Sequence, residues 1–230
     1  MTRAYVGTYA AAEEPGIYAL EFDETSGTFE IVGAFSGVEN PSFLAVRDDL
    51  LLAVGETGRS TGSVHAFRLT GWPPQLELLG AGATNGDYPC HLSIDATGRW
   101  VAAANYGTGN VVVLPVTAGD FGEVSSEVQH GGRGPNESRQ EGPHAHCALF
   151  SPGGRFVVAA DLGIDRILVY GFDEVGGRLT YQTGVATLPG AGPRHVAFHP
   201  NAPVMFGVNE LDNALVVYDF DRDTGGLRVR

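Results

Sequence analysis

Histidine, arginine and carboxylate side chains recur in this chain in short, related settings. His91 follows Cys90 in PCHLSI, His144 and His146 flank Ala145 in PHAHCALF, and Arg194 and His195 stand together in GPRHVAF, ahead of Asn209 and Glu210 in VNELDN. Imidazole supplies a general acid or base near neutral pH. Arginine holds a carboxylate or phosphate through its fork of donors, and a carboxylate beside it stays ionised and can take a proton from water. Brought together, these groups suit hydrolysis or proton transfer on an anionic, hydroxyl-rich substrate. Cys90 and Cys147 each adjoin a histidine, but no CxxC spacing is present, so no metal is expected. Two cysteines also argue against a disulfide scaffold and for a reducing compartment.

The elements that must position these residues form a repeat. One short strand-like segment recurs as GIYALEF, SVHAFRL, NVVVLPV, RILVYGF and ALVVYDF, at steps of 47, 47, 56 and 48 residues. A second, PSFLAV, PCHLSI, HCALFSP and RHVAFHP, precedes four of them at steps of 48, 56 and 48. Each unit reads as strand, polar turn, strand, Gly- or Asn-containing turn, strand, acidic Gly turn, strand, and no helical period extends over ten residues. Four antiparallel strands per unit of this length predict an all-β fold, a β-propeller of four-stranded blades. A β-sandwich would not repeat so evenly. The chain then holds about five blades in one domain over residues 1–230. The first unit lacks an innermost strand, because AYVGTY matches the second strand of later units.

In a propeller the start of strand one and the end of strand two meet at one mouth of the central channel. Aligned on their strands, Ser42, Cys90, His146 and Arg194 become equivalent, with Phe43, His91, Cys147 and His195 in the next layer. Glu56, Asn105, Asp161 and the pair Asn209 and Glu210 close the second strands. Arg194, Glu210 and His146 are the candidate catalytic groups; His144, His195, His91, Asn209 and Asp161 are candidate substrate-binding groups. The alternative is that Arg194 and Glu210 pair to join strands while the histidines pack in the channel wall. His65 reads as mid-strand, His199 as a turn residue and His130 as loop surface. The extra residues of the 56-residue step, GGRGPNESRQEG, run directly into the candidate site, either as a lid bringing Arg133 or Arg139 to the substrate or as an ordinary surface loop.

Composition narrows the partners. The chain has 33 Gly and 13 Pro in 230 residues, well above the usual share, which fits many tight turns. All 14 basic residues are arginine against 27 acidic ones, for a net charge of −13, so nucleic acid and anionic membrane would be repelled. A lysine-free acidic chain fits either life in concentrated salt or codon bias in a GC-rich genome. No apolar run reaches the roughly 20 residues a membrane helix needs, and MTRAYVGTY enters strand-like sequence at once; the expectation is a cytoplasmic protein. The sequence carries no signal for an oligomeric state.

The segments GAGPRHVAFHP and VNELDN, with PHAHCALFSPGGRFVVAADLGIDRILVY one unit earlier, resemble the lactonase family of seven-bladed propellers, which includes the bacterial 6-phosphogluconolactonases and the fungal carboxy-muconate cyclases. The resemblance extends from YVGTY onward. It implies hydrolysis of a sugar lactone, foremost 6-phosphogluconolactone to 6-phosphogluconate, without cofactor or metal. A lactone-forming cycloisomerisation is the alternative, and a catalytically silent binding propeller a third, against which stands the absence of any Trp-Asp dipeptide. The family's implicated residues carry over onto His146 of PHAH, Arg194 of GPRH and Glu210 of NEL, with Glu210 as base, Arg194 as oxyanion or anion binder and His146 as the acid for the leaving group. A further arginine implicated in the cyclase branch would lie past Arg230. By the same resemblance, a chain of this length is expected to be about two blades short of seven.

Overall fold

A computed structural model describes residues 2–230. Short apolar runs separated by turn residues form antiparallel strands throughout, in five sheets that follow one another along the chain. The first contains Thr2–Gly7, Ile17–Asp23 and Thr28–Phe35, three strands whose order matches strands two to four of the later blades. The second runs Leu44–Arg47, Leu50–Gly55, Ser63–Thr70, Gln75–Ala83. The third runs Pro89–Ile94, Trp100–Asn105, Asn110–Thr117, with Ser126–Gln129 and the short Asp120–Phe121 both on its outer side. The fourth is Ala145–Phe150, Phe156–Asp161, Arg166–Asp173, Arg178–Ala186, and the fifth Pro193–Phe198, Val204–Asn209, Leu215–Phe220, Leu227–Val229. The repeat is thus a series of propeller blades, as its period predicts.

The core lies between blades. Leu52, Val54, Val64 and Ala66 of the second blade pack on Leu92, Val101, Ala103 and Val112 of the third. Ala102, Ala104 and Val113 of the third meet Ala148, Val157 and Leu168 of the fourth, and Val158, Ala160 and Val169 of the fourth meet Val196, Met205 and Tyr218 of the fifth. A blade sandwiched on both faces reads as a continuous apolar strand. Trp100–Asn105 (WVAAAN) and Phe156–Asp161 (FVVAAD) are buried at every position, their alanines permitting close sheet approach.

The innermost strands share an irregularity that builds the site. In the third, fourth and fifth blades the pairing of strands one and two shifts between Pro89 and His91, between Ala145 and Cys147, and between Pro193 and His195. Cys90, His146 and Arg194 are the residues left without a register partner. A β-bulge re-aims a side chain and twists its strand, and here it places three equivalent residues at one mouth of the channel.

Candidate active site at the channel mouth

Tyr9, Ser42, Phe43, Glu56, Cys90, Tyr106, Arg139, His146, Arg194, His195 and Glu210 line a cavity of about 400 Å³. Four of the sequence-derived candidates converge there: His146, Arg194, His195 and Glu210. Glu210 follows directly on the strand Val204–Asn209, and its N–H donates to the Gly192 carbonyl (2.8 Å), two residues before Arg194. Its carboxylate receives Arg194 on one oxygen and Arg139 on the other. The Arg194–Glu210 pair does join two strands, and it does so while facing the cavity. Desolvation acts to raise the Glu210 carboxyl, but the hydrogen bonds from Arg139 and Arg194 outweigh it and hold the group below the usual range. Glu210 is therefore ionised, with both oxygens already engaged.

The histidines form an aromatic column. His146 lies edge-on to His195 (5.3 Å between ring centroids) and to Tyr106 (5.5 Å), while His91 packs against His195 (5.3 Å) and Phe43 (4.3 Å). Burial, reinforced by the Arg194 charge, lowers His146 to about 4. Burial followed by the neighbouring His195 and His146 lowers His91 to about 3. His195 is also lowered, by desolvation and then by Arg194. These rings are neutral near pH 7. The Nδ1 of His146 lies 3.4 Å from Cys90 Sγ, and the ring forms part of the cavity wall.

A second carboxylate faces the mouth from the second blade. Glu56 Oε2 accepts from Ser42 Oγ and from the Tyr9 hydroxyl (2.9 Å). The cavity wall thus carries two glutamates, one held by both arginines and the other by two hydroxyls.

Four candidates are not brought to the cavity wall. Asp161 is fully buried and works as a structural acceptor: Oδ1 takes the N–H of His144 (2.8 Å) and of Gly163 (3.0 Å), and Oδ2 meets His130 Nδ1 at 2.5 Å. Asp161 ends the strand Phe156–Asp161, and the turn that follows folds over it. Asn209 is buried and turns to Asp212 (3.4 Å). His91 lies beneath the wall, its Nε2 3.4 Å from Cys147 Sγ and its Nδ1 accepting from the Ala148 N–H. His144 stacks on Tyr106 (4.4 Å) and binds the Tyr106 carbonyl through Nδ1 (2.9 Å), which makes it a support for that wall. His130, expected at the loop surface, is buried through its pair with Asp161.

The inserted segment before the fourth blade supplies Arg139 but not Arg133, which is exposed and outside the cavity lining. It is pinned by Gln140, a fully buried residue that sequence reading passed over. Gln140 Nε2 donates to the Leu162 carbonyl (2.8 Å) and to Asp165 Oδ1 (2.7 Å), and Gln140 Oε1 accepts from the Asn136 N–H (3.1 Å). Tyr9 and Tyr106 were also missed; each sits one residue or more beyond a strand end, where periodicity gives no direction.

Fold and mouth together define a β-propeller with an ionised Arg-Glu-Arg cluster and neutral imidazoles at one end of its channel. The chain belongs to the seven-bladed β-propeller lactonase family, whose model matches residues 3–230. It is 35% identical over 226 residues to the 6-phosphogluconolactonase of Bacillus subtilis, an alignment covering 97% of this chain and 64% of that protein. Among solved structures it is similar to the periplasmic gluconolactonase of Pseudomonas aeruginosa (29% identity, TM-score 0.87, 98% of this chain and 66% of that one). A protein from Lactobacillus plantarum is likewise similar (29% identity, TM-score 0.88, covering 99% and 65%). The chain therefore spans about two thirds of the length of these relatives.

Proposed function

We propose that this protein hydrolyses a sugar lactone at the channel mouth, with 6-phosphogluconolactone as the first substrate to test. The observation that carries the reading is the Arg139–Glu210–Arg194 cluster facing the neutral ring of His146. Hydrolysis needs a base for the attacking water, a stabiliser for the developing oxyanion and a proton for the departing ring oxygen. Glu210 has both oxygens engaged by guanidinium groups, so neither is free to take a proton from water. His146, neutral and part of the cavity wall, suits the first proton transfer. It takes a proton as water attacks the carbonyl carbon, then returns it to the ring oxygen as the acyl–oxygen bond breaks, yielding the hydroxy acid. Arg194 stabilises the oxyanion, and Glu210 holds both guanidinium groups in place. Arg139 can grip an anionic substituent through its fork.

The relatives bear names for a phosphorylated and an unphosphorylated gluconolactone, so the test compares both. Hydrolysis of each lactone is followed by proton release above the spontaneous rate, with a carboxymuconate as a third arm for cycloisomerisation. Turnover of either lactone, reduced by about a hundredfold in His146→Gln, supports the reading. No lactone turnover by the wild type, or turnover only of the muconate, overturns it.

A further inference from the structure

The mouth is assembled from two segments far apart in sequence, and one side chain ties them together. Asp165 sits in the tight turn between the second and third strands of the fourth blade and is buried. Its Oδ1 accepts from Gln140 Nε2 (2.7 Å) and from the Gly192 N–H (2.8 Å), and its Oδ2 accepts from the Gly190 N–H (2.7 Å). Gln140 adjoins Arg139. Gly192 stands two residues before Arg194, and its carbonyl receives the Glu210 N–H. A single carboxylate thus braces the inserted segment carrying Arg139 and the turn that leads into Arg194 and backs Glu210.

The backbone at this position gives a second, independent argument. Asp165 has φ of 53°, in the left-handed region that a non-glycine residue enters at a cost. The corresponding turn positions of the third and fifth blades, Gly109 (φ 68°) and Asn213 (φ 58°), share the conformation. Glycine or asparagine therefore satisfies the turn, and the turn by itself does not call for an aspartate. What aspartate adds is a side chain that only accepts, matched here by three donors on two segments. The same turn is held close to the insertion at another point: a Cβ on Gly163 would lie 1.9 Å from the Gly142 carbonyl oxygen.

We propose that Asp165 is a positioning residue that sets the Arg139 and Arg194 guanidinium groups on the two oxygens of Glu210. Its kinetic consequence rests on the lactone-hydrolase reading; its structural consequence does not. Asp165→Gly keeps the left-handed backbone without strain and removes the carboxylate, so both arms lose their anchor. Asp165→Asn keeps one acceptor oxygen for Gln140 and Gly192 and loses the Gly190 bond, which makes it a partial rescue. Gln140→Met removes the inserted-segment arm alone.

The test is carried out on the intact protein with two readouts. The first is the arginine Nε–Hε signals of Arg139 and Arg194 in nitrogen-15 NMR, assigned with Arg139→Lys and Arg194→Lys. Both signals are expected to move in Asp165→Gly and to move less in Asp165→Asn, while only Arg139 moves in Gln140→Met. The second is lactone turnover, expected to fall about a hundredfold in Asp165→Gly, as misplacement of about 1 Å produces, with partial recovery in Asp165→Asn. Unmoved arginine signals in a folded Asp165 variant, or Gln140→Met shifting both arginines or neither, overturn the proposal. If Asp165→Gly does not fold, Asp165→Asn and Gln140→Met decide it by the same criteria. If the wild type turns over no lactone, the NMR arm still decides the brace, and the failure belongs to the functional reading.

Discussion

Arg139 and Glu210 are 71 residues apart in sequence and form a hydrogen-bonded ion pair at the mouth of the channel. Arg139 comes from the one long insertion in the repeat, Glu210 from the end of a second strand in the fifth blade. Their meeting gives Glu210 two guanidinium partners, where the nearer partner in sequence, Arg194, would give one. Replacing Arg139 by Met is expected to reduce kcat/KM for a sugar lactone by at least about tenfold through loss of a charge-assisted donor. A variant with unchanged kinetics would remove Arg139 from the site.

The proton chemistry has a pH signature. With His146 lowered to about 4 by burial and the Arg194 charge, the ring is the neutral, basic form from pH 7 down to about 5. Lactone kcat/KM is expected to stay level over that range and to fall as pH drops through about 4. If His146 instead acted from its protonated form, the rate would rise toward pH 4. Initial rates between pH 7 and 4, with the folded fraction checked by circular dichroism, distinguish the two.

Stability should follow the buried imidazoles. His91 is lowered from 6.5 to about 3, chiefly by desolvation, so below pH 6.5 the unfolded chain takes up a proton that the folded one refuses. Stability is therefore fully present above about 6.5 and declines as pH falls. For His91 alone the loss between pH 7 and 5 is about 2 kcal/mol. Denaturant titrations at the two pH values should show the decline, and His91→Leu should shrink it. An equal decline in the variant would contradict the assignment.

Asp161 should matter to folding and little to substrate. Its carboxylate meets His130 and caps the N–H groups of His144 and Gly163. Asp161→Ala strands these buried groups and is expected to destabilise by at least about 2 kcal/mol. The melting temperature should drop, while KM of the remaining folded protein stays within about twofold, since a buried polar group outside the cavity contributes to stability. A large KM change with no loss of stability would return Asp161 to the substrate site.

Blade architecture was legible in the sequence because it depends on local and periodic properties. A step of about 48 residues, short apolar runs and turn residues between them specify strands whatever lies beyond the next blade. The equivalence of Cys90, His146 and Arg194 was legible for the same reason, since each begins an innermost strand. The bulge that turns all three toward the mouth was not, because a skipped register partner leaves no mark on apolar alternation. Nor could spacing tell Glu210 from Asp161, both at the mouth end of a second strand. One reaches the cavity with arginines on both oxygens; the other is covered by its own turn and by His130.

By itself, then, the sequence determined the repeat, the strand order within each blade, the family resemblance and the mouth at which charged residues gather. Only the tertiary structure decided which of those residues share a cavity and which support it. The physical reason is range: strand formation follows from neighbours along the chain, whereas the ionisation of His146, the burial of Asp161 and the reach of Arg139 are set by groups from other blades. The insertion shows this most directly. As sequence it was a polar loop ahead of His144, and a single buried glutamine anchored on Asp165 makes it a wall of the site.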